Sequence, residues 1–218
     1  VRMDDAISVG SPGVGIVLGQ GEHPGRILFP LYEVIHQEDG EERVWRNRVA
    51  LSDDGGNTWR LGTRVPIDGL GGYANECQIA ELGDGRVRMH ARLETPGNRL
   101  AYAESADGGE TWSSMVVEPA LVTVPCMSSL IRYPAPNGET WLLASLPHST
   151  KDRENGTIFL SRDAGTTWSP LHTLYPEGFA YSSLAVLPDG SVGCLFELGP
   201  YKHLSFARVE VPKELRGQ

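Results

Sequence analysis

The chain has 218 residues, of which 40% are hydrophobic and 22% charged, and its formal net charge is −9. That length suits one large domain or two small ones with a buried core, and no apolar run approaches the roughly 18–20 residues of a membrane helix. The acidic balance and the absence of a Lys/Arg-rich block speak against a protein that reads nucleic-acid phosphates.

Of the 19 cationic residues 16 are Arg and 3 are Lys, so the available cation chemistry is that of guanidinium groups. The 26 Gly and 15 Pro suit a fold with many turns. The sequence begins at Val1 with no initiator Met and no signal peptide, and is read as a piece of a longer chain. No stretch carries a helical period over three turns. Cys77, Cys126 and Cys194 form no CxxC or Cys/His ligand spacing, and the six His are scattered singly. The cysteines are therefore expected as small buried hydrophobes, with no metal and no cofactor.

Two elements recur along the chain. The first is a tight turn between β-like runs: His23-Pro24-Gly25, Gly83-Asp84-Gly85, Pro136-Asn137-Gly138 and Pro188-Asp189-Gly190. Asp-Gly and Asn-Gly are hairpin signals because these residues tolerate positive φ. The flanks predict strands at 78–82 and 86–92, at 127–133 and 140–146, and at 182–187 and 191–197. The second element is Ser-x-Asp-x-Gly-x-Thr-Trp, an Asp box, starting at Ser52, Ser105 and Ser161, spacings of 53 and 56 residues. Its Asp is suited to accept backbone N–H bonds in a turn, its Gly to supply positive φ, and its Trp to pack into the sheet.

Each unit reads strand, tight turn, strand, loop, strand, Asp-box turn, strand. Four antiparallel strands in about 50 residues make one blade of a β-propeller. The chain holds about four such units, the last without an Asp box and ending after a strand at 205–211.

Chain direction then assigns ends. Glu76 lies eight residues before Asp84 and Arg92 eight after it; Tyr181 and Glu197 bear the same relation to Asp189. Both pairs fall at the open end of a hairpin, where opposed residues are neighbours. The Asp boxes join strands three and four and fall at the opposite end. Arg153, in the loop Asp152-Arg153-Glu154-Asn155, shares the open end. A plain cross-strand ion pair at Glu76 and Arg92, an aromatic cap at Tyr181 and a solvated loop Arg153 remain alternatives to a site.

The Asp boxes, the segment from Asn75-Glu76 to Ala91-Arg92, and the segment from Tyr181-Ser182-Ser183-Leu184 to Glu197 resemble the exo-α-sialidases (neuraminidases) over nearly the whole chain. The resemblance implies an all-β, six-bladed propeller, with residues 1–218 its C-terminal portion of about four blades. It implies that Tyr181 is the nucleophile and Glu76 the carboxylate that activates it. It further implies that Arg92 and Arg153 grip the substrate carboxylate and that Glu197 steadies the family's first arginine. That arginine and the family's acid/base Asp have no counterpart here and are expected before Val1. The implied substrates are sialylated glycoconjugates, cleaved with retention. A non-catalytic sialic-acid-binding or scaffold propeller, a trans-sialidase, and a glycosidase for another acidic sugar stand as alternatives. A secreted, periplasmic or vesicular enzyme fits such substrates, and the family also has cytosolic members.

Overall fold

The computed structural model describes residues 2–3, 6–36, 43–94, 98–135, 139–199 and 201–212, which are all-β, with no helix among them. The expected turn at Pro136-Asn137-Gly138 lies outside the described residues. The chain divides into two compact units, Val1–Glu118 and Pro119–Gln218.

The first unit holds one sheet and, up to residue 118, a second. One contains β1 (Arg2–Met3), β2 (Ala6–Gly10), β3 (Ile16–Val17), β4 (Ile27–His36), β5 (Arg43–Ser52) and β6 (Arg60–Leu61). Here β2 and β3 share β4 as their partner, through Gly10↔Leu31 and Ile16↔Leu28, so they read as one interrupted strand. The second sheet runs in the order β10-β9-β8-β7, built from β7 (Ala74–Glu81), β8 (Val87–Leu93), β9 (Arg99–Ser105) and β10 (Val116–Val122). Its inner strands are buried on both faces, as strands sandwiched between layers are. Leu28, Val49, Leu51, Ile79, Met89 and Met115 centre the core of this unit.

In the second unit, β11 (Ser129–Pro134), β12 (Thr140–Pro147), β13 (Glu154–Ser161), β14 (Ser169–Val186), β15 (Val192–Leu198) and β16 (His203–Val209) pair in chain order. Its core gathers Trp141, Leu143, Ile158, Phe179, Leu184 and Cys194. A single strand does double duty here. The first half of β14 pairs with β13 as far as Glu154↔Gly178, and the second half pairs with β15 from Phe179↔Leu198 onward. The sequence predicts a strand after the third Asp box and another at 182–187; the two form one continuous strand. The strand order therefore gives about four blade-like units, the last with three strands.

The turns fall where expected. Leu82 N–H donates to Arg86 O at 2.7 Å and Leu187 N–H to Ser191 O at 2.8 Å, with Gly85 at φ +84° and Gly190 at +80°. The three Asp boxes repeat one hydrogen-bond pattern. In the first, Asp54 Oδ1 accepts from Ser52 Oγ and from Thr58 N, each at 2.8 Å, and Oδ2 accepts from Thr58 Oγ1 at 2.6 Å. Asp107 and Asp163 repeat these bonds with Ser105 and Thr111 and with Ser161 and Thr167. Hydrogen bonds from Thr58 foremost hold the Asp54 carboxyl down at about 2. The tryptophans do not share one fate. Trp112 is 7% exposed, as expected, whereas Trp59 is 49% exposed and its indole donates to Gly56 O within its own turn.

Candidate active site

The residues singled out in the first unit lie at the end of β7 and β8 remote from their turn. Regular pairing runs from Glu81↔Val87 to Cys77↔Ala91 and then shifts, so that Ala74 faces Leu93. The shift is a β-bulge, which re-aims side chains, and Asn75 and Glu76 occupy it. Arg92 Nη1 donates to Glu76 Oε2 at 3.1 Å, and Arg92 Nε lies 2.5 Å from Glu94 Oε1. Asn75 braces the bulge: its Oδ1 accepts from Glu76 N at 2.8 Å and its Nδ2 donates to Glu94 Oε1 at 3.2 Å. The fully buried Asn47 donates to Asn75 O. Tyr32 stands close enough for its hydroxyl to be pushed above its ordinary pKa, by burial first and then by the Glu76 charge.

The second unit repeats the device. Pairing of β14 with β15 runs regularly from Val186↔Val192 to Ser182↔Phe196, then shifts so that Phe179 faces Leu198. Ala180 and Tyr181 take the bulge as Asn75 and Glu76 do. Glu197 stands where Arg92 stands, and its Oε2 accepts from Tyr181 N at 3.2 Å. The Arg153 guanidinium lies 5.4 Å from the centre of the Tyr181 ring. Its Nη2 donates to Pro125 O at 3.0 Å and its Nη1 to the Tyr201 hydroxyl at 2.7 Å. The backbone of Arg153 is fixed as well, since its carbonyl accepts from Phe179 N at 2.8 Å. Arg153 borders a cleft of about 450 Å³ that Asp152, Glu177 and Tyr201 also line.

Within the first unit the structure thus brings Glu76 to Arg92, and within the second Tyr181 to Glu197 and Arg153. The bulged hairpin of the first unit thus presents a carboxylate and a guanidinium, and that of the second a phenol and a carboxylate, with the Arg153 guanidinium on the loop before β13.

A model of the BNR repeat-like domain family matches residues 16–194. The anhydrosialidase of Macrobdella decora is 36% identical over 216 residues, covering 92% of this chain and 26% of that protein. The chain belongs to the sialidase family. The sialidase of Micromonospora viridifaciens, another relative, is 36% identical over 192 residues, covering 86% of this chain and 28% of its own. Among solved structures, the intramolecular trans-sialidase of Ruminococcus gnavus, in complex with oseltamivir carboxylate, superposes with a TM-score of 0.75. It is 30% identical and covers 97% of this chain and 45% of its own. This sialidase-family chain therefore spans about a quarter of the length of those two curated relatives. Its fold is the β-propeller of that family.

The family resemblance points to the five residues above but not to their supports. Asn47, Asn75, Glu94, Tyr32 and Tyr201 carry no assignment in the sequence reading. Glu94 had a legible signal, since it lies two positions past Arg92 and thus on the same side of an extended chain. Tyr201 had none, because its contact with Arg153 joins two separate loops. Among the described residues no cluster of His, Cys, Asp and Glu is placed to hold a metal ion. The three cysteines are buried, and burial pushes the thiols of Cys77 and Cys194 up to about 12.

Proposed function

We propose that residues 1–218 are the C-terminal blades of a retaining exo-sialidase that removes terminal sialic acid from glycoconjugates. The observation that carries this reading is the repeated bulge, which mounts Glu76 beside Arg92 and Tyr181 beside Glu197, with Arg153 over the Tyr181 ring. The membership of the family and the names of its relatives support it.

Sialic acid carries a carboxylate on its anomeric carbon. A carboxylate nucleophile 4 Å from that charge would meet a repulsion of about 4 kcal/mol at an effective dielectric near 20. A neutral phenol avoids it, but with an ordinary pKa near 10 it needs a base. In the proposed first step the Tyr181 oxygen bonds to the anomeric carbon, Glu76 takes the phenolic proton, and the glycosidic bond breaks. The leaving oxygen is protonated by an acid that this sequence does not match, expected elsewhere in the full-length protein. Water then releases the sugar from Tyr181. Arg92 and Arg153 bind the substrate carboxylate through forked donors that stay charged at any working pH. Glu197 orients a further arginine supplied by the rest of the protein.

The test is Tyr181→Phe in the full-length protein, assayed on a fluorogenic sialoside. Loss of at least about 100-fold in kcat is expected for an absent nucleophile; full activity overturns the assignment. A second reading has specific support, because the relatives include an anhydrosialidase and an intramolecular trans-sialidase. There a hydroxyl of the sugar itself, rather than water, would displace Tyr181. Hydrolysis in ¹⁸O-water distinguishes the two: a hydrolase puts the label into the released sugar, whereas internal transfer leaves the product unlabelled.

A further inference from the structure

Arg92 and Arg153 are held by different kinds of acceptor. Arg92 lies between two carboxylates, Glu76 and Glu94. Arg153 meets a carbonyl, a phenol hydroxyl and aromatic faces: Pro125 O, the Tyr201 hydroxyl, and the Tyr181 and Tyr201 rings at 5.4 and 5.8 Å. Among the described residues no carboxylate forms an ion pair with Arg153. Neutral acceptors fix the direction of a guanidinium without cancelling its charge, which remains available to an incoming anion.

Tyr201 is an unusual choice for that acceptor. It sits in the turn between β15 and β16 with φ at +58°, a region a bulky non-glycine residue seldom adopts, and it is 61% exposed. Neither core packing nor turn chemistry calls for a tyrosine there. What the side chain does is reach across to the loop before β13 and accept from Arg153 Nη1. Backbone strain at such a position persists where the surroundings hold it, and it concentrates at functional sites.

We propose that Tyr201 is a positioning residue that holds the Arg153 guanidinium with a neutral acceptor, so that its full charge meets the carboxylate of the substrate. The anion-gripping part rests on the sialidase reading; the positioning part does not.

Two variants separate the parts. Tyr201→Phe keeps the ring and removes the acceptor. Tyr201→Glu keeps an acceptor and adds a charge that neutralises Arg153. The first readout is the rotation rate of the Arg153 guanidinium about its Cζ–Nε bond, measured by NMR on arginine-labelled protein and assigned through Arg153→Lys. Rotation should speed up roughly tenfold in Tyr201→Phe and remain slow in Tyr201→Glu. The second readout is KM for a sialoside in the full-length protein. It should rise roughly tenfold in Tyr201→Phe and further in Tyr201→Glu, with kcat within about twofold of wild type, the pattern of lost ground-state grip. Unchanged rotation in Tyr201→Phe overturns the positioning role. Altered rotation with unchanged KM in both variants keeps the positioning and overturns the contact of Arg153 with substrate. A melting temperature equal to wild type in Tyr201→Phe confirms that neither result comes from unfolding.

Discussion

At the scale of single residues, burial and hydrogen bonding decide what each ionisable group contributes. His90 is 1% exposed on β8, and its Nε2 accepts from Arg88 Nε at 3.2 Å. Burial first, and the Arg88 charge second, push its pKa well below the ordinary value of 6.5. The unfolded chain therefore binds a proton near pH 6 that the folded chain refuses. The stability linked to His90 is fully present above pH 6.5 and drains as pH falls below it, at up to about 1.4 kcal/mol per pH unit. Urea unfolding at pH 7, 6 and 5 should show that slope, and His90→Gln should flatten it even though the variant is less stable at pH 7. The sequence made the ionisable residues easy to find but not their states. Arg88, Arg92 and Arg153 read alike as letters, yet Arg88 is buried against Glu118 and Glu104, Arg92 is shared by two carboxylates, and Arg153 faces a phenol. Those differences come from partners far away in the chain.

At the scale of elements, the Asp boxes show how a repeated turn tolerates unequal sequences. The position after the box Asp is Gly55 at φ +71° in the first box and Gly108 at +65° in the second, but Ala164 at +57° in the third. Ala164→Gly should relieve a left-handed Ala and stabilise the protein by roughly 0.5–1 kcal/mol, after the entropy that Gly adds to the unfolded chain is subtracted. Two of the three box tryptophans make a matched pair for thermal or urea unfolding. Trp112→Ala, in the core, should cost about 3–5 kcal/mol, whereas Trp59→Ala, half exposed, should cost under about 1 kcal/mol. The hairpins were legible because their turns carry Gly at positions that need positive φ. The full length of β14 was not. Pro170, Pro176 and Gly178 break the strand pattern of its first half, which pairs through repeated register shifts, and proline is tolerated where a ladder is irregular. The bulges that aim Glu76 and Tyr181 were likewise invisible, since a regular hairpin predicts nearly the same pairing.

At the scale of the whole molecule, the repeating architecture was readable from spacing alone, because each blade-like unit restates the same turns in the same order. The chemistry was readable only in part: equal offsets from Asp84 and Asp189 pick out Glu76, Arg92, Tyr181 and Glu197 as open-end positions, but the roles of all five site residues come from resemblance. The 218 residues cover 26% and 28% of the M. decora and M. viridifaciens relatives, and the proposed mechanism takes its acid from outside them. The isolated chain should therefore release no fluorophore from a sialoside under conditions where the full-length protein turns over readily. Measurable turnover by the isolated chain would show that a proton donor lies among its own residues.

The twin bulges have a practical corollary for protein engineering. Positions 76 and 92 in one hairpin, and 181 and 197 in the other, are equivalent register positions that already carry an acid, a guanidinium and a phenol. A combinatorial library confined to those four codons would explore new ligand chemistries while leaving the turns, the Asp boxes and the buried strands as they are.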